Sequence, residues 1–227
     1  MEHKTKREII ITGDGSVTIH LPEINEQYHS KHGAINEAKH VFIKSGLQYI
    51  WEKEKKEETA ILEIGFGTGL NAFITFLESK KSGKAIQYVG IEAYPVLMDE
   101  IEKLNYAQQL EALHEQATFM SLHECEWEKE KKVSDTFSLT KKQMLFGDIK
   151  DVASYDLIYF DAFGARVQPE LWTVQIFEIM FAALRDGGVL VTYAAKGSVR
   201  RAMEEVGFSV ERPVSYTHLR AHETRTY

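Results

Sequence analysis

Leu62-Glu63-Ile64-Gly65-Phe66-Gly67-Thr68-Gly69-Leu70-Asn71 joins an apolar run to a helix-like segment through a glycine-rich turn. Residues 60–64 read as a buried strand, and 70–79 as the helix that follows it. Glycines let such a turn bend sharply and bring its backbone against a ligand. About two dozen residues on, Tyr88-Val89-Gly90-Ile91-Glu92 places an acid at the end of a second apolar run, where a carboxylate takes the hydroxyls of a ribose. The spacing Gly65, Gly67, Gly69 and then Leu70 departs from a dinucleotide fingerprint, whose third glycine comes later. Glu63 in front of the loop would repel a pyrophosphate. It would welcome an ammonium, and bare peptide N–H groups would suit a carboxylate. The pattern therefore points to S-adenosylmethionine rather than NAD, with Glu63, Gly65, Phe66, Gly67, Thr68, Gly69, Asn71 and Glu92 as cofactor-binding candidates.

Strand and helix signals alternate outward from this loop. Strands are expected at 60–64, 86–91, 156–160, 189–193 and 208–210, with short candidates at 137–139 and 143–146. Helices are expected at 70–79, 96–102, 104–113 and 198–206. Another starts at Pro169 and carries Trp172, Ile176, Phe177, Met180 and Leu184 on one face until Gly187-Gly188. This alternation means an α/β fold with a doubly wound, mostly parallel sheet, whose ligands gather at the carboxyl ends of the strands. Ahead of it, residues 8–11 and 16–21 flank Gly13-Asp14-Gly15 and read as a β-hairpin. Helices at 34–44 and 47–56 follow, with Gly46 as the stop between them. The expected division is an N-terminal hairpin and helical extension over 1–57 and the main domain over 58–213.

The chain has 227 residues, 44% of them hydrophobic, a net charge of −7 and one cysteine, Cys125. That is enough for one sizeable core. No apolar stretch is long enough to span a membrane, no signal peptide is visible, and a lone cysteine forms no internal disulfide. These features predict a cytoplasmic protein. The acidic balance disfavours nucleic acid as a partner overall, although a local basic patch is compatible with it. His114, His123, Glu124 and Cys125 lack metal-ligand spacing, so no metal is expected.

Taken together, the motifs resemble the methyltransferase domain of the tRNA wobble-uridine enzymes called MnmC and their stand-alone relatives. The resemblance rests on Tyr28-His29-Ser30, Gly33-Ala34, Glu37, Val41-Phe42-Ile43, the glycine loop, Gly90-Ile91-Glu92 and Gly147-Asp148-Ile149. It continues through Asp161-Ala162-Phe163, Gln168-Pro169-Glu170-Leu171-Trp172-Thr173 and Lys196-Gly197-Ser198-Val199-Arg200-Arg201, and spans about residues 8–212. It implies a Rossmann-like class I fold and S-adenosylmethionine-dependent methylation of the aminomethyl group on C5 of the wobble uridine, giving the methylaminomethyl form. The partners implied are tRNA and a separate enzyme that supplies the amine, because the chain is too short for the flavin-dependent oxidase domain of bifunctional relatives.

Two departures stand out. Relatives carry a proline soon after Asp-x-Phe, where this chain has Phe163-Gly164-Ala165-Arg166-Val167, so a looser loop is expected. Residues 214–227 read like a translated cloning or adapter scar. On that reading the interior strand beside 189–193 is missing, and poor folding is expected.

For the chemistry, Asp161 is the expected catalytic residue. It ends a strand, and its carboxylate would orient the amine and take its proton; its alternative role is a loop cap. Asp148 is expected to accept from the adenine amino group, the alternative being an Asx-turn. Tyr28, His29 and Phe163 are candidates for covering the substrate, and Lys196, Arg200 and Arg201 for tRNA phosphates. Trp172 fits the apolar stripe of its helix. Three rivals remain open from sequence: a small-molecule amine methyltransferase, a non-catalytic nucleoside-binding protein and an NAD oxidoreductase.

Overall fold

A computed structural model describes residues 6–54, 56–194 and 196–211. Its centre is a six-stranded sheet built from β4 (Glu58–Ile64), β5 (Ala85–Ile91), β6 (Glu130–Lys132), β7 (Phe137–Lys142), β8 (Tyr155–Phe160) and β9 (Leu184–Val191). The strand order is β6-β7-β5-β4-β8-β9. All pairings are parallel except β6 with β7. The chain leaves β4 towards β5 on one side and later returns to β8 on the other. The switch point, where such sheets open a crevice, therefore lies at the carboxyl end of β4.

Strand parity decides what faces that crevice. In β4 every residue from Thr59 to Ile64 is buried, as expected for a strand covered on both faces. Ala60, Leu62 and Ile64 join a core with Phe177, Met180 and Val199, while Ile61 joins the opposite core with Phe73, Phe119 and Tyr159. The first core is closed by α7 (Val174–Ala183) and α8 (Gly197–Val206), the second by α3 (Leu70–Ser82) and the N-terminal helices. Glu63 shares the parity of Ile61, and Asp161 continues that of Leu157 and Tyr159. Both acids are thus aimed to the side of the sheet that α3 covers.

The hairpin forms as expected: β1 (Glu8–Ile11) pairs antiparallel with β2 (Val17–Leu21). A short β3 (Glu26–Gln27), not anticipated, adds to its other edge. Thereafter one continuous helix replaces the expected pair. It consists of α1 (Ala34–Ala38), a π-helical stretch (Lys39–Gln48) and α2 (Tyr49–Glu54). Gly46 does not stop it. The residue is buried against the sheet, and a methyl group there would sit 3.0 Å from Val191 Cγ2 and 3.3 Å from Tyr159 Cε1. The glycine serves close helix–sheet packing rather than termination.

Other expectations shift for local reasons. Between β5 and β6 the chain forms α4 (Met98–Ile101), α5 (Tyr106–Gln109) and α6 (Gln116–Glu124) instead of two longer helices. Residues 143–146 form no strand, because β7 runs on to Lys142 and a 3-10 turn, Phe146–Asp148, follows. The segment at Pro169 is a 3-10 turn, Pro169–Trp172, separated from α7 by extended Thr173. Gly187-Gly188 lies inside β9, where the ladder to β8 is irregular. Residues 208–210 are not a strand; Phe208 packs edge-on against Phe181, 5.0 Å between centroids. Among the described residues β9 has no partner on its outer edge. The expectation of a foreign tail at 214–227 lies outside the described residues. No described helix is long and apolar enough to cross a membrane.

Candidate active site

The loop after β4 turns through three left-handed glycines, Gly65 (φ 88°), Gly67 (φ 49°) and Gly69 (φ 70°). Side chains are strained in that region, so glycine is the residue that permits the turn. Peptide N–H groups of Gly65 and Phe66 both donate to the Ile91 carbonyl at 3.0 Å, tying the loop to the end of β5. Glu92, next in the chain, completes the fastening. Its Oε2 accepts from the Gly67 N–H at 2.9 Å and its Oε1 from the Tyr94 N–H at 2.9 Å.

Above this loop lies a cavity of about 440 Å³. Most of the expected residues line it: Glu63, Gly65, Phe66, Gly67, Thr68 and Asn71, then Glu92, Asp148 and Asp161, and also Tyr28, His29 and Phe163. Gly69 is not in the wall; a methyl group there would meet His123 Nε2 at 2.7 Å, so its part is to start α3. Lys196, Arg200 and Arg201 are not in the wall either. They are exposed on and beside α8, and Arg200 Nε is held by Glu204 Oε1 at 2.8 Å. Trp172 is core, as expected, yet its Nε1 donates to the Phe163 carbonyl at 2.8 Å and so steadies the loop after Asp161. Arg166 in that loop, where relatives carry proline nearby, reaches the Asn25 carbonyl at 3.0 Å and Glu26 Oε2 at 3.1 Å. The loop is thereby fastened rather than loose.

Sequence reasoning missed part of the wall: Leu145, Phe146, Gln168, Glu170, Leu171 and Ile176. Gln168, Glu170 and Leu171 stand in the motif around Pro169, which was the available signal; nothing in the chain marked Leu145.

The electrostatics have one sign. Among the described residues five carboxyl side chains line the cavity (Glu63, Glu92, Asp148, Asp161 and Glu170), and no lysine or arginine does. Asn71 Nδ2 bridges the two deepest acids, donating to Glu63 Oε1 at 3.0 Å and to Asp161 Oδ2 at 2.8 Å. Burial pushes the Asp161 carboxyl up to about 7; the charge of Glu37 adds to this and the Asn71 bond opposes it. Burial, and then the neighbouring Asp161, hold Glu63 well above the ordinary carboxylate range. Desolvation lowers the His29 imidazole to about 4 and raises the Tyr28 phenol to about 12. His29 Nδ1 is 2.9 Å from Thr18 Oγ1, and Tyr28 lies edge-on to Phe163 at 5.1 Å between centroids. These two N-terminal residues thus wall the side of the cavity towards the loop after β8.

Asn71 Oδ1 is buried in this wall with no hydrogen-bond partner, while Glu63 is within reach of the buried Tyr88 hydroxyl. Buried polar atoms are normally paired. An unpaired acceptor and two carboxyl groups with suppressed ionisation fit a ligand that brings hydrogen-bond donors and positive charge. They do not fit a pyrophosphate.

Comparison with known proteins gives the same answer. The model of a family described as S-adenosyl-L-methionine-dependent methyltransferase matches residues 107–222. The chain belongs to this family. The methyltransferase is also similar to curated proteins named tRNA 5-methylaminomethyl-2-thiouridine biosynthesis bifunctional protein MnmC. That of Cupriavidus necator is 31% identical over 209 residues, covering 84% of this chain and 30% of the relative. That of Marinomonas sp. is 29% identical over 210 residues, covering 85% and 30%. The chain thus spans about a third of the length of these relatives. Among solved structures, MNMC2 from Aquifex aeolicus superposes with a TM-score of 0.72 at 24% identity, over 91% of this chain and 66% of that one. Spermidine synthase from Thermotoga maritima gives a TM-score of 0.54 at 13% identity, over 88% and 60%. These likenesses establish a Rossmann-like methyltransferase fold. S-adenosylmethionine is the family's cofactor, and the acceptor-rich wall around Glu63 and Asn71 fits it.

Proposed function

We propose that this methyltransferase transfers a methyl group to the aminomethyl nitrogen on C5 of the tRNA wobble uridine, giving the methylaminomethyl form. The observation that carries the reading is the composition of the cavity wall, which among the described residues has five carboxyl groups and no lysine or arginine. Such a wall suits a cationic cofactor and an amine acceptor, and it rejects phosphate. The names of the relatives, which match over 84–85% of this chain, supply the particular amine.

In this reading Glu63 and Asn71 hold the cofactor's ammonium, Glu92 its ribose and Asp148 its adenine, while the N–H groups of the glycine loop receive its carboxylate. S-adenosylmethionine, when bound, supplies the transferable methyl group. The protein's own contribution is positioning and one proton. An amine acceptor arrives largely as an ammonium and reacts only when neutral. Asp161 Oδ2 is engaged by Asn71, which leaves Oδ1 for the acceptor. A carboxylate titrating at about 7 accepts the ammonium proton with little energetic mismatch near neutral pH. Tyr28 and Phe163 wall the acceptor side and exclude water.

The test is incubation of the protein with methyl-labelled cofactor and tRNA from a strain unable to complete this modification, followed by nucleoside mass spectrometry. Label in methylaminomethyluridine is the expected outcome. Label that enters polyamines or other small amines while tRNA stays unmodified would replace this reading with the small-molecule one.

A further inference from the structure

We propose that the exposed face of the π-helical stretch Lys39–Gln48, with Lys31 and His32 just ahead of its helix, receives the phosphate backbone of the RNA acceptor. The inference rests on the reading of the acceptor as tRNA, and it supplies what the cavity lacks. A wall of carboxyl groups admits a base and its amine but repels phosphates, so these must be held outside it.

The burial pattern defines the face. Phe42, Ile43, Gly46 and Leu47 turn inward to the sheet, while Lys39, His40, Lys44 and Gln48 are exposed. Lys39 and Lys44 are five residues apart, little more than one turn of π-helical winding, where hydrogen bonds run from i to i+5, and His40 is exposed next to Lys39. From His29 to Trp51 the only carboxylate is Glu37, which is half-buried and close enough to Asp161 to raise it. Lys31, Lys39 and Lys44 make no ion pair with any described residue. In a chain of net charge −7 these cations form a basic strip, and the half-buried Asp14 sits at its start, accepting from the Asn36 N–H at 3.0 Å.

Its placement also fits. The row begins just after His29, which lines the cavity. The helix then runs away from the carboxyl edge of the sheet, because β4 starts at the opposite edge only four residues after α2 ends. A nucleotide with its base in the cavity therefore has its flanking phosphates near the start of this row. The cluster near α8 is a weaker candidate. Arg200 is neutralised by Glu204, and Glu205 is exposed next to it.

The test uses the full chain with Lys39→Ala and Lys44→Ala combined. Expected are about a tenfold loss of tRNA affinity at moderate salt and a log–log salt slope shallower by roughly 1.5, as two phosphate contacts would give. Cofactor affinity by calorimetry and the thermal midpoint should not move, and Lys39→Arg with Lys44→Arg should restore binding. Unchanged affinity and slope in the alanine pair would overturn the proposal, and so would their loss in Lys196→Ala with Arg201→Ala instead. Wild-type protein that takes up no tRNA at any salt would overturn the acceptor reading, and this surface with it. Wild-type protein that methylates tRNA while the alanine pair binds it normally would sink the surface alone.

Discussion

Asn71 Nδ2 lies 2.8 Å from Asp161 Oδ2, and the same nitrogen lies 3.0 Å from Glu63 Oε1. One amide at the start of α3 thus joins acids from two adjacent strands. It keeps them apart without neutralising either by a cation. The arrangement follows from parity: residues 63 and 161 both emerge on the α3 side of the sheet, and Asn71 stands in the first turn of that helix.

Removing this shared donor should affect binding more than folding. Asn71→Ala takes away the bridge, but it also takes away a buried oxygen that has no partner, so the two stability effects partly cancel. The expected result is a loss of S-adenosylmethionine affinity of about tenfold or more, corresponding to roughly 1.4 kcal/mol. The thermal midpoint should drop by only a few degrees. Calorimetric titration and a melting curve on the same sample check both.

A second expectation concerns pH. With Asp161 titrating at about 7, kcat/KM for the acceptor should rise about tenfold per pH unit below neutrality and level off above it. Asp161→Asn should erase this limb and lower the rate by about 10²–10⁴. Stability runs the other way. The carboxyl binds its proton more tightly folded than unfolded, so its contribution is present below the unfolded value near 4 and is lost as pH rises to about 7. The melting temperature of Asp161→Asn relative to wild type should therefore climb between pH 4 and 7 and then stay level. A flat difference across that window would place the shifted group elsewhere.

Glu92 fastens the glycine loop with both carboxylate oxygens. Glu92→Gln keeps one acceptor oxygen and should lose one of the two loop bonds, about 0.5–1.5 kcal/mol of stability. If Glu92 also receives the ribose, affinity for S-adenosylmethionine and for its demethylated by-product should fall in parallel, because both carry that sugar. Titration of the two ligands distinguishes this from a purely structural fastening, which would shift the melting curve and leave the affinities nearly equal to wild type.

Gly46 offers a test of the fold away from the cavity. Gly46→Ala places a methyl group 3.0 Å from Val191 Cγ2, 3.3 Å from Tyr159 Cε1 and 3.4 Å from Leu157 Cδ1. Overpacking of this kind destabilises by about 1–3 kcal/mol. Urea unfolding should show a lower midpoint with an unchanged slope, and cofactor affinity at low denaturant should be preserved.

Local signals were enough wherever a short stretch enforces its own geometry. Gly65, Gly67 and Gly69 all adopt positive φ in the loop, and Glu92 does stand at the end of the neighbouring strand. Gly46 misled because a glycine in a helical pattern reads the same whether it ends the helix or lets it press against a sheet, and only the partner strand separates the two cases. At α8 the sequence showed three cations, and the structure adds that Glu204, one helical turn after Arg200, holds that one of them.

From the order of residues alone came the strand–loop–helix unit, the alternation that builds a parallel sheet, and the set of acids at strand ends. These depend on periodicity and on backbone freedom, which act over a few residues. The packed structure decided which acids meet, that Asn71 bridges them, that Tyr28 and His29 wall one side of the cavity, and that the wall holds five carboxyl groups with no lysine or arginine among the described residues. Such facts arise where segments more than a hundred residues apart converge on the carboxyl edge of one sheet, and burial there sets proton affinities that no single segment determines.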